Sequence, residues 1–355
     1  MKKILVTGGA GFIGSNFIRY ILGEHPEYQV INIDKLTYAG NLENLREVEE
    51  NPRYVFVRGD ILDEELISEL LNGKHPATNN QLPNTIINFA AESHVDRSIE
   101  DPSSFVETNV HGTQVLLDGA RKAWKGNNNL FVQVSTDEVY GSLGSTGYFT
   151  EDTPLAPNSP YSASKAGGDL MVKAYWETYK LPCIITRCSN NYGHYQFPEK
   201  LIPLMITNVI EGKPLPVYGD GQNVRDWIHV EDHCRGIDLI LSKGNAGEVY
   251  NIGGNNEWKN IDIVRLITGK MEDILGLKKG SLASLIKFVK DRPGHDRRYA
   301  IDSSKIIKDL DWKPLYSFEK GIEETIRWYL SSKEWWEGIK RGEYMQYYER
   351  NYLKR

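Results

Sequence analysis

Residues 131–141 read FVQVSTDEVYG, and residues 159–165 read SPYSASK. The first run is apolar and rich in valine before it breaks into polar residues and a glycine, which is typical of a buried parallel strand that delivers polar side chains at its carboxyl end. The serine and proline that open the second run are a helix-start signal, so we expect Tyr161 and Lys165 on one face of a helix. Because ligands of doubly wound sheets bind beyond the carboxyl ends of the strands, these two runs predict the active site.

The spacing of Tyr161 and Lys165 allows two interpretations. A tyrosine phenol has a pKa near ~10, and a close ammonium group can lower that pKa by the roughly 2 to 3 units that a general base needs at neutral pH. A tyrosine and a lysine four residues apart can equally be a helix-surface pair that contributes a few tenths of a kcal/mol. The other residues expected at the same sheet edge distinguish the two interpretations.

Two adjacent acids, Asp137 and Glu138, directly follow the predicted strand. Two like charges at a site without water cost free energy, so adjacent acids are unusual in a purely structural role. The alternative is that both acids lie in a solvated turn. For one acid to donate a proton its pKa must rise, and both burial and a neighbouring carboxylate act in that direction. The two acids are therefore candidates for an acid and a base.

The start of the chain carries a phosphate-loop pattern. Residues 4–7 predict a strand, and residues 8–14, GGAGFIG, follow it and open a helix. Three glycines at this spacing permit a tight turn, close approach of the backbone to a pyrophosphate, and close packing of helix on strand. A second predicted strand ends at Asp34, 20 residues after the last glycine, where a carboxylate would bind the adenosine ribose and repel a 2′-phosphate. The pattern favours NAD over NADP; a glycine turn beside a surface aspartate is the alternative.

Apolar runs alternate with helical segments through the first half of the chain. Further strands are predicted at 55–58, 86–89, 183–187 and 249–252, and a helix from about Pro102 to Trp124. Strict alternation predicts a parallel sheet covered by helices on both faces. The fold class is therefore α/β, an NAD-binding Rossmann-type doubly wound parallel sheet with a smaller, interleaved C-terminal substrate lobe.

The composition changes after Arg187, where prolines, glycines and scattered aromatic residues interrupt the alternation. We expect residues 1–188 to form the NAD-binding domain and to regain about residues 227–252, with a helix from Trp227 to Ser242. Residues 189–355 would form mainly the substrate-binding lobe, which the aromatic C-terminal region caps.

Composition excludes several classes of function. The 355 residues carry a net charge of −6 and a pI near 5.8, which argues against a nucleic-acid binder. Cys183, Cys188 and Cys234 show no metal-ligand spacing, so we expect reduced thiols and no metal site. The apolar run after Met1 is too short for a signal peptide, and no run has membrane-spanning length, so we expect a cytoplasmic protein without a membrane partner.

Together these motifs resemble the extended short-chain dehydrogenase/reductase family, and within it the dTDP-glucose 4,6-dehydratase subgroup. The GxxGxxG loop and the Tyr-x-x-x-Lys pair mark the family, and residues 136–141, TDEVYG, mark the subgroup. Longer strings support the closer match: DKLTYAGNL at 34–42, AAESHVDRS at 90–98, SNNYG at 189–193, QFPEKLIP at 196–203 and DRPGHDRRYA at 291–300. The resemblance covers positions 4 to 302.

This resemblance implies a lyase that uses NAD as a bound catalyst in deoxysugar biosynthesis. Oxidation of a hexose at C4 makes the C5 proton acidic, water is lost across C5 and C6, and finally the hydride returns to C6 and a proton to C5. Tyr161, activated by Lys165, would take the C4 hydroxyl proton, and Thr136 would hydrogen-bond that hydroxyl. Glu138 would remove the C5 proton, and Asp137 would protonate the departing C6 hydroxyl.

The resemblance also implies the ligand-binding residues. Those for NAD are Gly8, Gly11, Phe12, Ile13, Gly14, Asp34, Lys35, Leu36, Thr37, Asp60, Ile61, Ala90, Ala91, Glu92, Thr108, Tyr161, Lys165 and Asn191. Those for the dTDP-glucose substrate are Ser93, His94, Thr136, Asn190, Lys200, Leu201, Pro216, Val217, Tyr218, Arg225, Asn260, Arg292 and His295. Arg225 and Arg292 would hold the diphosphate, and a surface charge is the alternative for Arg292. The two histidines can equally be structural.

Four alternatives stay open. A nucleotide-sugar 4-epimerase shares the fold, NAD and the Tyr161/Lys165 pair but needs no acid and base at C5 and C6, and a GDP-mannose dehydratase or a sugar-nucleotide decarboxylase would differ in the substrate lobe. A non-catalytic NAD-binding regulator could keep the fold without the chemistry. The chain departs from the subgroup's pattern at His194, where proline is expected, and at 276–285. The family is typically homodimeric through two helices of the first domain, so we expect a homodimer.

Overall fold

The computed structural model describes residues 2–126, 128–291 and 295–340. Arg292, expected to bind substrate, lies outside these residues, as does the end of the charged C-terminal stretch. The strands are β1 Lys2–Thr7, β2 Tyr28–Asp34, β3 Tyr54–Arg58, β4 Thr85–Asn88, β5 Leu130–Thr136, β6 Cys183–Cys188, β7 Asn190–Tyr192, β8 Leu215–Tyr218, β9 Val224–His229, β10 Val249–Ile252, β11 Glu257–Lys259 and β12 Ile286–Val289.

The helices alternate with these strands. They are α1 Phe12–Glu24, α2 Glu64–Leu71, α3 Val95–Glu100, α4 Pro102–Val106, α5 Thr113–Ala123, α6 Pro160–Tyr179, α7 Leu201–Ile210, α8 Val230–Lys243, α9 Asn260–Leu275, α10 Ser304–Leu310, α11 Phe318–Ser331 and α12 Lys333–Ile339. Short 3₁₀ turns lie at Leu42–Leu45, Pro76–Thr78, Asp137–Tyr140 and Ser281–Leu285, and a π-helical segment at Glu107–Gly112 joins α4 to α5. No helix of the described part of the chain is long and apolar enough to cross a membrane.

Seven strands form one parallel sheet in the order β10-β6-β5-β4-β1-β2-β3. All seven strand predictions are confirmed. The chain leaves β1 towards β2 and β3, then returns to add β4 on the other side of β1. This reversal opens a crevice between the carboxyl ends of β1 and β4, the position where doubly wound sheets bind ligands.

The sheet is buried on both faces because successive side chains of a strand point to opposite sides. Ile4 belongs to a core with α1, α8 and α10, whereas its neighbour Leu5 belongs to a core with α2, α5 and α6. Cys183, Cys188 and Cys234 are free and buried, as predicted.

Most of the remaining elements form a second lobe. It contains a three-stranded sheet in the order β11-β9-β7, the parallel pair β8 and β12, and the helices α7, α9, α11 and α12 around an apolar core. The chain crosses back, since β10 pairs with β6 and α8 packs on α1. The predicted helix from Trp227 was wrong at its start: Trp227 to His229 end β9, and α8 begins at Val230.

Candidate active site

The glycine run lies at the crevice between β1 and β4. Gly8 has a φ of +67°, a left-handed conformation, and a Cβ there would lie 2.5 Å from the backbone nitrogen of Ala90. A Cβ on Gly14 would lie 2.4 Å from the carbonyl oxygen of Gly8. A side chain at either position would push backbone apart, as expected of a loop that brings its amides to a phosphate at the start of α1.

Asp34 ends β2 beside this loop and is nearly buried. Its Oδ2 accepts a hydrogen bond from the Ala10 amide at 2.9 Å, and its Oδ1 accepts one from the Leu36 amide at 2.8 Å. Burial raises the pKa of Asp34, and these two hydrogen bonds oppose the rise. The adjacent Lys35 is paired with Asp60 at 2.6 Å, Nζ to Oδ2. A carboxylate beside an already paired lysine suits the ribose of NAD better than a 2′-phosphate.

A cavity of about 400 Å³ extends from the glycine loop to the ends of β5 and β6. Its size is within the usual range for ligand pockets. The predicted cofactor residues that line it are Gly8, Gly11, Phe12, Ile13, Gly14, Asp34, Lys35, Thr37, Asp60, Ile61, Ala90, Ala91, Glu92, Thr108, Tyr161, Lys165 and Asn191. Leu36 is not among the lining residues, but its amide holds the Asp34 carboxylate. A tight glycine cradle next to a buried acid fits NAD.

The end of β5 holds three of the predicted catalytic residues together. Thr136 caps the following 3₁₀ turn: its Oγ1 accepts a hydrogen bond from the Glu138 amide at 3.2 Å and donates one to Asp137 Oδ1 at 3.3 Å. Thr136 and Glu138 line the cavity, whereas Asp137 lies just behind the lining and is 2% exposed.

The surroundings of Asp137 favour its protonated form. Burial raises its pKa well above the usual range, and the charges of Glu138 and Asp226 raise it further. Its Oδ2 has no hydrogen-bond partner among the described residues. The expected rise of the pKa of one of the two acids, through burial and a second carboxylate, is confirmed, and a neutral Asp137 can donate a proton.

Tyr161 and Lys165 enter the same cavity from the first turns of α6. Ser159 caps this helix, in a capping box with Ser162. Tyr161 and Lys165 are both nearly buried and both line the cavity. The Lys165 Nζ donates to the carbonyl oxygen of Val134 in β5 at 2.7 Å. A buried, cavity-lining position rules out the helix-surface interpretation of the pair.

The pKa of Tyr161 differs from the sequence-based expectation. Burial raises it well above the usual value, and the Glu138 charge raises it further, while a hydrogen bond with Thr136 opposes the rise. Burial lowers the pKa of Lys165, and the charge of Asp169 opposes that change. In the protein alone, therefore, desolvation outweighs the help that Tyr161 was expected to receive from Lys165.

Asp169 is a site residue that none of the sequence motifs indicated. It follows Lys165 by one turn of α6, is 1% exposed, and pairs with Arg187 of β6 at 2.9 Å. Arg187 also donates to the hydroxyl of Tyr140 at 3.0 Å. The i,i+4 spacing from Lys165 was the available signal, because an acid there supports a buried ammonium group.

Only part of the predicted substrate set lies in this cavity. Thr136, Ser93, Asn190 and Lys200 line it, and the Lys200 Nζ donates to the Ser93 carbonyl oxygen at 3.4 Å. His94 is outside the lining, nearly buried, with its Nε2 3.6 Å from Glu199 Oε1. The other described residues of the set that are outside the lining are Leu201, Pro216, Val217, Tyr218, Arg225, Asn260 and His295.

Several of these outer residues meet in the second lobe. The Tyr218 and His295 rings are 6.2 Å apart, centroid to centroid, and His295 Nδ1 is 2.6 Å from Asp291 Oδ1. Arg225 is 6% exposed, and its guanidinium donates to the carbonyl oxygens of Val224 at 2.8 Å and Asp296 at 2.9 Å. Arg225 is thus already engaged by backbone carbonyls.

Some residues of the cavity wall were not predicted as site residues from the sequence. Tyr38 lines the cavity with its ring 3.8 Å from the Arg97 guanidinium and in edge contact with Phe197. Asn44 and Trp335 also line it. Tyr38 lay within a recognised string, whereas Trp335 is far along the chain and was interpreted as part of a cap on the second lobe.

The chain is similar to known proteins over almost its whole length. The family profile described as GDP-mannose 4,6 dehydratase matches residues 5–325. The dTDP-glucose 4,6-dehydratase of Salmonella typhimurium is 50% identical over 365 residues, which cover 99% of each chain. The crystal structure of the Streptomyces venezuelae dTDP-glucose 4,6-dehydratase with NAD and TYD bound has a TM-score of 0.86 and 51% identity, covering 95% of this chain and 100% of that one.

Epimerases are more distant. The UDP-glucose 4-epimerase of Thermotoga maritima, crystallised with UDP-glucose, is 28% identical, with a TM-score of 0.81 and coverage of 93% of this chain and 99% of that one. The fold is therefore shared by both kinds of enzyme, while the sequence is much closer to the dehydratases. The chain belongs to the dTDP-glucose 4,6-dehydratase family.

Proposed function

We propose that the protein is a hydro-lyase that converts dTDP-glucose to dTDP-4-keto-6-deoxyglucose with bound NAD. The observation that carries the proposal is the position of Asp137: a buried acid with a raised pKa, next to Glu138, at the edge of a cavity that also contains Tyr161 and Lys165. Roughly 50% identity to dTDP-glucose 4,6-dehydratases over almost the whole chain supports the same reaction.

The residues of the cavity divide the chemistry into two stages. In the first, Tyr161 accepts the proton of the C4 hydroxyl, and Thr136 holds that hydroxyl in place. When bound, NAD supplies the hydride acceptor, the later hydride donor, and a positive charge. Lys165 adds a second positive charge in the same cavity, so the loaded site favours the phenolate that the protein alone disfavours.

In the second stage, the ketone at C4 makes the C5 proton removable. Glu138 lines the cavity and takes this proton, while the protonated Asp137 gives its own to the C6 hydroxyl as water leaves. The product is completed when the hydride taken from C4 returns to C6 and a proton returns to C5. The different burial of the two adjacent carboxyls supports opposite roles, one as base and one as acid.

The acid and base distinguish this reaction from its rival. A 4-epimerase needs the Tyr161 and Lys165 pair but no proton donor at C6, so a buried acid with a raised pKa would be a costly feature without use. The lower identity to epimerases agrees with this conclusion.

We propose that the nucleotide half of the substrate extends from the cavity onto the second lobe. Ser93, Asn190 and Lys200 begin this path inside the cavity. Tyr218, His295 and their neighbours continue it outside the cavity. In this division, residues 1–188 and about 227–252 bind NAD, and residues 189–355 mainly bind the sugar nucleotide.

We also propose a homodimer formed through α4 and α6. These helices pack against each other on the surface of the first lobe and expose large apolar side chains, Val106 at 53% and Leu170 at 56%. Exposed apolar side chains on two packed helices make this surface a candidate for contact between copies of the chain. The three free thiols agree with a reducing, cytoplasmic location.

The reaction is tested by incubating dTDP-glucose with the purified protein in deuterated water without added reductant, followed by mass spectrometry. The expected product has lost one water and carries solvent deuterium at C5. A product of unchanged mass with inverted C4 would make the protein an epimerase. Unchanged dTDP-glucose, with UDP-glucose also inert, would favour a non-catalytic NAD-binding protein.

Two variants assign the stages in the same assay. Tyr161→Phe should abolish even the first oxidation, so no absorbance of reduced cofactor appears on mixing. Glu138→Gln should allow that absorbance to form but stop deuterium incorporation at C5. Normal incorporation at C5 in Glu138→Gln would remove this residue from the role of base.

A further inference from the structure

The C-terminal helix α12 reaches from the second lobe to the wall of the cofactor cavity. Neighbouring residues of a helix are about 100° apart around its axis, so adjacent side chains can serve different surroundings. Trp336 is fully buried in the second-lobe core, where its indole nitrogen donates to the Tyr329 carbonyl at 2.9 Å. Trp335 and Ile339 line the cofactor cavity instead. The helix therefore connects the second lobe to the cavity wall.

Trp335 is linked to the glycine loop by hydrogen bonds. Its indole nitrogen donates to Asn44 Oδ1 at 2.9 Å, and Asn44 Nδ2 donates to the carbonyl oxygen of Ala10 at 2.9 Å. The Ala10 amide in turn donates to Asp34. Asn44 is only 2% exposed, so water cannot readily replace either partner. A continuous series of hydrogen bonds thus runs from α12 to the acid of the ribose site.

Aromatic side chains hold Trp335 in this place. Its ring lies 5.1 Å from that of Trp328 on α11 and 5.6 Å from that of Tyr195. The Arg19 guanidinium on α1 lies 4.0 Å from the Tyr195 ring and also donates to the backbone carbonyl of Asn44. Asn44 is therefore fixed from both lobes, by Arg19 on one side and by Trp335 on the other.

We propose that Trp335 is a positioning residue for the glycine loop and slows the release of bound NAD. Without the indole N–H, the buried Asn44 carboxamide loses the partner that sets its orientation, and its hydrogen bond to Ala10 weakens. A cofactor that is restored in each turnover does not have to leave between turnovers, so slow release does not limit the turnover rate. The inference rests on the proposed function in taking NAD as the resident cofactor.

Trp335→Phe tests this role, because it removes the N–H and keeps an aromatic ring. Trp124→Phe is the matched control: the Trp124 indole nitrogen donates to the Pro83 carbonyl oxygen at the same 2.9 Å, and Trp124 is not a lining residue of the cofactor cavity. The full-length proteins are loaded with NAD, and exchange against isotopically labelled NAD is followed by mass spectrometry. No sugar nucleotide is present.

Trp335→Phe is expected to release NAD roughly five- to tenfold faster, the effect of losing about one hydrogen bond. Trp124→Phe should release NAD at the wild-type rate, although both variants lose a similar amount of stability in thermal unfolding of the NAD-free protein. Equal release rates in both variants, with equal stability losses, would reduce Trp335 to a structural residue and overturn the proposal.

Asn44→Ala provides a second test should Trp335→Phe not fold. It should also accelerate release, and adding Trp335→Phe in that background should have no further effect, because both act through one hydrogen-bonded series. Wild-type release from Asn44→Ala, or fully multiplicative effects, would contradict the proposal. Slow NAD release without any dehydration would disprove the proposed function and leave this inference intact, whereas a wild-type protein that binds no NAD would overturn both.

Discussion

Asp226 connects the second lobe to the acid chemistry of the first. It lies in β9, is 1% exposed, and its Oδ1 accepts a hydrogen bond from the Asn256 amide at 2.6 Å. Burial raises the pKa of Asp226 to about 6. Its charge is also one of the causes of the raised pKa of Asp137. A residue distant in sequence therefore helps to keep the proton donor protonated.

The raised pKa of Asp226 predicts a pH-dependent stability. Because the folded-state pKa lies above the ordinary value of about 3.9, the native protein holds a proton that the unfolded chain releases, so this contribution is present below pH ~4 and is lost as the pH rises to ~6. Asp226→Asn cannot ionise and should escape the loss. We expect Asp226→Asn to gain on the wild type between pH 4 and 6, by up to roughly 3 kcal/mol in free energy of unfolding.

Urea unfolding at intervals from pH 4 to pH 8 measures this difference. Asn keeps an acceptor oxygen for the Asn256 amide, so the comparison isolates the charge. Parallel stability curves for the two proteins would mean that Asp226 titrates alike in the folded and unfolded states.

At the level of single elements, the predicted helix from Pro102 to Trp124 shows what local sequence can and cannot provide. Its extent is right, but Glu107–Gly112 is π-helical. Within this segment Asn109 accepts from the Glu92 amide and donates to the Glu92 carbonyl and to Ser164 Oγ, which joins the end of β4 to α6. π-Helical turns often occur at functional sites. These partners come from distant parts of the chain, so helix periodicity gave no sign of them.

Two glycines of α1, one in its first turn and one near its end, should respond differently to substitution by alanine. Gly14→Ala places a Cβ 2.4 Å from the Gly8 carbonyl oxygen and 2.8 Å from the Gly9 Cα, so the loop must shift. We expect NAD affinity to fall at least about tenfold, or 1.4 kcal/mol, in titration calorimetry. Gly23→Ala meets no atom within 4 Å and should stabilise the protein by about 0.5–1 kcal/mol without changing NAD affinity. Equal NAD affinity in both variants would remove the glycine loop from cofactor binding.

For the whole molecule, the sequence predicted the seven-stranded sheet because its strands are continuous apolar runs, the pattern of strands buried on both faces. The second lobe was harder, since its strands are short and Trp227 belongs to β9 rather than to a helix. Trp335 was expected to belong to the cap of the second lobe, because aromatic residues in a helix are more often part of a core than of a cavity wall. Only the return of α12 to the first lobe assigns it to the cavity.

Two exposed leucines distinguish the proposed contact between copies of the chain from other surface. Leu170 on α6 is 56% exposed, and Leu315, before α11, is 60% exposed, so the two leucines differ in location far more than in exposure. If α4 and α6 form the dimer contact, Leu170→Arg buries a charge against apolar surface and should shift the protein to a monomer of 40.5 kDa in analytical ultracentrifugation. Leu315→Arg adds the same charge elsewhere and should leave the dimer intact. A wild-type monomer, or a dimer that survives Leu170→Arg, would place the apolar face of α4 and α6 outside any contact between copies of this chain.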